Sequence, residues 1–253
     1  LTRGDSVAVK IQPPGIESTI ATDLDIVASL ARLAERYVPS SRYLGPTGMV
    51  KEFRKHIRRE LDFERERQNM DRFSSMFGRR DGLKIPATYP KHSTRRLLIM
   101  EYVDGTKVSS VLANPEGPHK VTFDASKIAE RGARLTLEQM LIHGFFHADP
   151  PPGNLMILPG NTICYLDFGL MGRLHEEERD HLATAISGMV RRDGAKVTDA
   201  VLRLTRASRT AAYEELVDEI QDLVDDYLDR ALKDVNIAEL FSDLITLVVG
   251  HGI

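Results

Sequence analysis

Asp149 and Asn154 lie five positions apart in the stretch HGFFHADPPPGNL, and Asp167 follows in YLDFG, thirteen positions after the asparagine. Three successive prolines, 150–152, can neither continue a helix nor donate to a sheet, so Asp149 is expected on a stiff loop just after an apolar helix. An amide oxygen and a carboxylate are hard ligands of the kind Mg2+ accepts while it keeps several waters. A further carboxylate on the loop can position or deprotonate an attacking hydroxyl. Asp-Phe-Gly alone is a weak signal, because an Asp at a strand end is often only a turn former. The order is stronger: Asp, Asn at +5, a hairpin, then Asp-Phe-Gly is the order that phosphoryl transfer uses.

That chemistry also needs a cation on the α- and β-phosphates. Val7-Ala8-Val9-Lys10 matches the strand-borne lysine signature of protein kinases, and it precedes a highly charged helix, as the order requires. An acid on that helix should pair with Lys10. Asp62 and Glu66 are four apart and share one helix face; Glu60 and Glu64 share another. Spacing alone does not choose among them, and most of these charges read as a solvated face.

The positioning elements follow from periodicity. Val7–Ile11 reads as a strand, preceded by a turn at RGDS and broken by Gln12-Pro-Pro-Gly15. Ile20, Leu24, Val27, Leu30, Leu33 and Tyr37 form one apolar face of a helix over 16–37, and that face reads as core. After a loop from Pro39 to Gly48, a second helix is expected from Thr47 to Phe77, with an apolar stripe of Met49 or Val50, Phe53, Ile57 and Leu61. Residues 84–90 and 96–103 read as strands, Asp104-Gly105 as a turn, and 124–143 as a helix. LMILP, a PGN turn and TICYLDFG read as a hairpin that brings Asn154 and Asp167 to its two ends. From His175 on the chain is helical, including a segment expected to run to Asp234. The fold class is α+β.

Composition narrows the function. The chain has 253 residues, 42% hydrophobic and 28% charged, with net charge −3 and scattered cations, which points away from nucleic acid. The single cysteine, Cys164, sits among apolar neighbours and reads as a core residue. No His or Cys spacing suits zinc, and no G-x-G-x-x-G or Walker A signature occurs. His143 reads as a cap or packed residue, and His147 as a brace for the loop. No apolar run is long enough to span a membrane. The chain opens inside an apparent hairpin and stops straight after an apolar helix, so it is expected to be a piece of a longer protein.

VAVKIQPPGIE, RRELDFERE, LLIMEYVDG, HGFFHADPPPGNL and YLDFGLMGRL, in that order, resemble the UbiB/ADCK family of atypical protein-kinase-like proteins over nearly all of residues 6–253. The resemblance implies a two-lobed protein-kinase-like fold: a partial N-lobe over 1–105, with a small sheet, an extra helix pair and the charged helix, and a helical C-lobe over 106–253. It implies ATP and Mg2+ as cofactors and a role in ubiquinone or related isoprenoid-quinone biosynthesis. By it, Lys10 contacts the phosphates and Glu66 is its helix partner, Glu60 and Asp62 form the ExD motif, and Asp149 is the catalytic-loop aspartate. Asn154 and Asp167 take the metal positions, and the backbone of Glu101, Tyr102 and Val103, just after Met100, meets adenine. Implied partners are the nucleotide, a prenyl-quinone precursor or membrane lipid, and a quinone-biosynthesis complex. The implied location is cytoplasmic, peripheral at the inner membrane through parts outside this chain.

The sequence departs from the family pattern in two places. The family usually reads HADPHPGN, and Pro151 replaces the inner histidine. The KxGQ helix and alanine-rich nucleotide loop that precede the lysine strand are not in this chain. Ala148 stands where ordinary protein kinases carry an arginine that reads a phosphorylated activation loop, and the segment from Gly169 to His175 is short. Transfer to a protein is therefore expected to be weak, with a small molecule, a lipid-linked group or water as acceptor. Two rivals remain: an aminoglycoside- or choline-type phosphotransferase, in which RRELDFERE is not expected, and a nucleotide-binding pseudokinase scaffold.

Overall fold

The computed structural model describes all residues except 1–3, 5, 39–44, 79, 206–212, 230–236 and 252–253. Arg3 and Asp5 of the expected RGDS turn, most of the loop from Pro39 and the last residues of the helix expected to reach Asp234 lie outside the described residues. The chain forms two compact units, Leu1–Thr136 with Phe145–Gly172, and Leu137–Gly144 with Arg173–Ile253.

The first unit opens with β1 (Val7–Ile11) and continues through α1 (Ile16–Tyr37), α2 (Pro46–Glu60) and α3 (Phe63–Phe77). The expected single helix over 47–77 is thus two helices. Long-range contacts build the break: the buried Gln12 side-chain amide donates to the Leu61 carbonyl, and the Phe63 backbone N–H donates to the Arg95 carbonyl at 3.0 Å. Asp62 then caps α3 by accepting from Arg65 N–H at 3.4 Å, the usual way an aspartate satisfies a helix's first free donors. The break also undoes the expected face-sharing of Asp62 with Glu66 and of Glu60 with Glu64.

The apolar faces of α1 and α2 are largely outside the core. On α1 only Leu24 and Ala31 are buried, while Leu30, Leu33 and Tyr37 are 60%, 50% and 68% exposed. No residue of α2 is buried, and Met49 and Phe53 face solvent. The core instead gathers around α3. Phe63, Met70, Phe73 and Phe77 pack with Leu98, Met100, Phe145, Tyr165 and Phe168.

After α3 come β2 (Leu83–Lys84), β3 (Leu97–Glu101), β4 (Thr106–Lys107), α4 (Val108–Ala113), α5 (Ala125–Leu137), β5 (Phe145–His147), β6 (Leu155–Leu158) and β7 (Thr162–Tyr165). β1 pairs antiparallel with β3, Lys10 opposite Leu98. β2, β7, β6 and β4 form a second sheet in that order, β2 parallel to β7. The strand expected over 84–90 is regular only at Leu83–Lys84, and then touches β3 through a single antiparallel bridge, Thr88 to Met100. Pro86 and Pro90 lack the N–H a ladder needs, and Pro90–His92 turns as a 3-10 helix. The β6–β7 hairpin is as expected, its turn placing Gly160 and Asn161 at positive φ.

The second unit holds α6 (Glu176–Val190), α7 (Gly194–Thr205), α8 (Tyr213–Asp229) and α9 (Ile237–Gly250). Its core is Val197, Val201, Leu202, Leu216, Ile220, Val224 and Val248. The helix expected over 124–143 is α-helical only to Leu137. It widens into a π turn over Glu138–His143 and stops at Gly144, whose φ of 58° favours glycine. No helix among the described residues is long and apolar enough to cross a membrane.

Candidate functional site

Within the first unit, Lys10 reaches into the ring of residues singled out from sequence. Its Nζ donates to Glu66 Oε1 and Oε2 at 2.8 and 3.0 Å and to Asp167 Oδ2 at 2.8 Å. Strand geometry explains the placement. Val9 and Ile11 are exposed on one face of β1, so Ala8 and Lys10 share the other. Glu66 is 2% exposed on α3, and the Phe168 N–H also donates to its Oε1 at 3.3 Å. Of the acids left open by spacing, Glu66 is therefore the one that meets the lysine.

α3 grips the Asp-Phe-Gly turn from one side. Besides Glu66, Asn69 Nδ2 donates to Phe168 O at 2.9 Å, and the Phe73 ring meets the Phe168 ring edge-on with centroids 5.2 Å apart. Positions 66, 69 and 73 are one helix face. Sequence reasoning missed Asn69. Its spacing of three from Glu66 was visible, but nothing local marked it apart from other polar residues of a charged helix.

The hairpin brings Asn154 and Asp167 together. Leu166 N–H donates to Asn154 O at 2.9 Å, extending the β6–β7 ladder by one pair. Asn154 Nδ2 then lies 3.3 Å from Asp167 Oδ2, while Gly169 N–H donates to Asp167 Oδ1 at 2.8 Å. Asn154 closes a 3-10 turn, Pro152–Asn154, by donating its N–H to Pro151 O at 2.8 Å. The proline run fixes φ there, so the turn is ordered at low entropic cost.

His147 ties the loop to the hairpin. Its Nε2 is 2.8 Å from Asp167 O, and the Asp149 N–H donates to its Nδ1 at 3.3 Å. The neutral ring with its proton on Nε2 satisfies both contacts. Burial lowers the His147 pKa below its ordinary value, against the pull of Asp167, which favours that form. Asp149 is exposed, and its carboxylate accepts no hydrogen bond from a described residue.

The electrostatics centre on Lys10. Burial alone would lower its pKa, but the Glu66 and Asp167 carboxylates outweigh that and raise it. Burial pushes Asp167 up, and the Lys10 ammonium and the Gly169 N–H more than reverse this, leaving it below the ordinary carboxylate value. Glu66 lies above its ordinary value because burial outweighs the attraction of Lys10. One ammonium thus faces two carboxylates, a cluster with an excess negative charge. A hard divalent cation suits that excess, and the adjacent Asn154 amide and Asp167 carboxylate are the donors it takes. No group of three or more His, Cys, Asp or Glu among the described residues forms a metal cluster.

Glu101, Tyr102 and Val103 line a cavity of about 470 Å3, together with Ala8, Met100 and Leu166. Ala8 and Leu166 neighbour Lys10 and Asp167 in sequence, so this wall leads toward the charged cluster. The Glu101 carboxylate is engaged by Lys84 Nζ at 2.7 Å and Ala87 N–H at 3.0 Å, which pins the segment from behind. Tyr102 N–H donates to Ser6 O at 3.3 Å, and Val103 N–H has no partner among the described residues. The Lys84–Glu101 pair was another feature missed from sequence. Glu60 and Asp62 separate at the helix break: the Glu60 Cγ would lie 3.9 Å from a Cβ on Gly169, whereas Asp62 caps α3 and faces Arg95 at 4.0 Å.

A lysine held by a helix glutamate, a metal-type Asn–Asp pair at a hairpin mouth and an exposed loop aspartate call for comparison with known proteins. Residues 1–201 match the model of the ABC1 atypical kinase-like domain. The chain belongs to the ABC1 family. Among ABC1 relatives, Protein ACTIVITY OF BC1 COMPLEX KINASE 3, chloroplastic, of Arabidopsis thaliana is 31% identical over 95% of this chain and 33% of its own length. An uncharacterized protein of Synechocystis sp., sll1770, is 28% identical over 96% of this chain and 41% of its own length. The chain thus spans less than half the length of these curated relatives. The solved complex of Rv3197 with erythromycin from Mycobacterium tuberculosis aligns with a TM-score of 0.64 at 20% identity, covering 90% of this chain and 56% of that one. The ABC1 chain therefore has the expected α+β, protein-kinase-like fold, mostly helical with small sheets.

Proposed function

We propose that this ABC1 chain is the ATP- and Mg2+-dependent catalytic part of a UbiB-type phosphotransferase or ATPase that supports ubiquinone or related isoprenoid-quinone biosynthesis. The observation that carries the reading is the Lys10 ammonium held at 2.8 Å from both Glu66 and Asp167, in the same unit as a cavity lined by residues 101–103. Lys10 is poised to exchange its contact with Asp167 for phosphate oxygens while Glu66 keeps it oriented. Asn154 and Asp167 would hold Mg2+. When bound, that ion neutralises phosphate charge and draws off negative charge as the bond to the leaving group breaks. The exposed Asp149 carboxylate orients the acceptor hydroxyl or water and takes its proton. Val103 N–H and the neighbouring backbone receive the base.

A small molecule, a prenyl-quinone precursor or water is the acceptor in this reading. Ala148 removes the arginine that reads a phosphorylated activation loop, and α6 opens at Glu176, leaving a short segment after Asp-Phe-Gly. The test is the rate of Mg2+-dependent ATP hydrolysis by the full-length protein, with and without prenyl-quinone precursors. The reading expects turnover that precursors increase and that Asp149→Asn cuts by at least about a hundredfold, as for loss of a general base. Nucleotide binding without turnover under every condition would instead favour the scaffold reading.

A further inference from the structure

α2 is chemically unlike the rest of the chain. It carries Lys51, Arg54, Lys55, Arg58 and Arg59 against only Glu52 and Glu60, a net charge of +3 in a chain of net charge −3. Lys51/Lys55, Arg54/Arg58 and Lys55/Arg59 are like-charge pairs at i,i+4, which disfavour an isolated helix. A solvated face selected for helix stability alternates its signs instead. Arg58 and Arg59 gain something from the C-terminal dipole of α2. Lys51, Arg54 and Lys55 do not, and Arg65 lies in the first turn of α3, where the dipole opposes a cation.

These cations do not neutralise one another's surroundings. Arg54 pairs with Asp25 at 2.7 Å and Lys55 with Glu52 at 3.3 Å, whereas Lys51, Arg58, Arg59 and Arg65 have no ion-pair partner among the described residues. They are not spread over a convex surface. All six line one depression of about 600 Å3 at the α2–α3 junction, with Glu52 and Asp62 as its acids. Arg54 and Arg58 also line an adjoining groove of about 380 Å3 with the apolar Ile20, Leu24 and Leu61, and with Arg95 paired to Glu17 at 3.6 Å. The depression reaches the first turn of α3, whose cap, Asp62, is one of its two acids. It shares no lining residue with the cavity at 101–103.

We propose that this depression is a binding site for a phosphate-bearing anion, separate from the nucleotide site. Guanidinium forks at 54, 58, 59 and 65 match phosphate oxygens in geometry, and the lysines add point charge. The ligand is either a soluble oligophosphate or the phosphate headgroup of a lipid whose apolar part follows the adjoining groove. Neither source depends on ATP binding at Lys10.

Inorganic tripolyphosphate, without Mg2+, is titrated into the protein by calorimetry at low and at physiological salt. In parallel, the protein is sedimented with vesicles of phosphatidylcholine alone and of phosphatidylcholine with phosphatidylglycerol. Three proteins are compared: wild type, the triple variant Lys55→Ala, Arg58→Ala, Arg59→Ala, and Asp167→Asn. The three triple-variant residues are exposed, so the fold is expected to survive, which a melting curve checks. Wild type and Asp167→Asn should bind at least one probe with salt-sensitive affinity, and the triple variant should lose at least tenfold. Loss confined to tripolyphosphate identifies a soluble ligand; loss confined to the anionic vesicles identifies a headgroup. Equal binding by wild type and a folded triple variant, or no binding of either probe by wild type, overturns the proposal.

Discussion

Replacing Lys10 by methionine isolates the most consequential contact in the molecule. Methionine keeps the length and apolar stem of the lysine and removes its charge. Glu66, 2% exposed, is then left as a buried carboxylate with only the Phe168 N–H for company. Breaking a buried ion pair from one side costs about 3–5 kcal/mol. The Lys10 side chain is 34% exposed and Asp167 28%, so water reaches the site and the lower end, about 3 kcal/mol, applies. For a chain of this size that is a fall of roughly 6–12 °C in Tm. The cost is also pH-dependent. Glu66 already sits above its ordinary value of 4.5 and rises further without Lys10. A carboxyl with a raised folded pKa binds protons in the folded state first, so the deficit shrinks as pH falls through that pKa. Denaturation of Lys10→Met at about pH 7.5 and at about pH 5 should therefore show a large loss and a smaller one. Adding Glu66→Gln should recover at least half of the loss at the higher pH and flatten its pH dependence. A Lys10→Met protein within about 0.5 kcal/mol of wild type at both pH values would refute this account of the pair.

Three other outcomes are expected. His147 is neutral in the fold with a lowered pKa, so its contribution to stability is full above its ordinary value of 6.5 and is lost as pH falls from there through the folded value; His147→Asn should remove that component of the pH-stability curve. Burial pushes the Cys164 thiol up to about 12, so alkylation near neutral pH should occur only on unfolding, and rapid labelling of the native protein would contradict its packing. Asn69→Ala leaves the Phe168 carbonyl without its 2.9 Å donor and should cost about 1–2 kcal/mol while weakening Mg2+-nucleotide binding, whereas an exposed control such as Gln68→Ala should do neither.

The residues that bear chemistry were legible because their spacing is set by short local elements. A two-strand hairpin fixes the separation of Asn154 and Asp167, so thirteen residues in sequence become 3.3 Å in space. A proline run announces the stiff loop before them. What depended on packing was less legible. The helix over 47–77 reads continuously by charge and period, yet Gln12, far away in sequence, takes the Leu61 carbonyl and lets Asp62 start a new helix. The cue, an aspartate followed by Glu64 and Glu66, was present but lay inside a segment in which more than half of the residues are charged. Likewise α1 has a clean apolar stripe, and periodicity cannot tell a stripe that meets the core from one that, past Leu24 and Ala31, remains exposed. The choice of Glu66 over its neighbours required the register of β1 on β3 and the rotation of α3, neither of which a single sequence encodes locally.

The central claim is that Lys10, Asn154 and Asp167 together receive a Mg2+-bound nucleotide triphosphate. Thermal unfolding of the full-length protein, with and without ATP and Mg2+, beside Asp167→Asn, tests it most directly. At a nucleotide concentration of 100 times Kd, the wild type should gain about 2.7 kcal/mol, a shift of several degrees, only when Mg2+ is present. Asp167→Asn should show none of the Mg2+-dependent part. An absent shift in well-folded wild type, or one that survives unchanged in Asp167→Asn, would contradict the account.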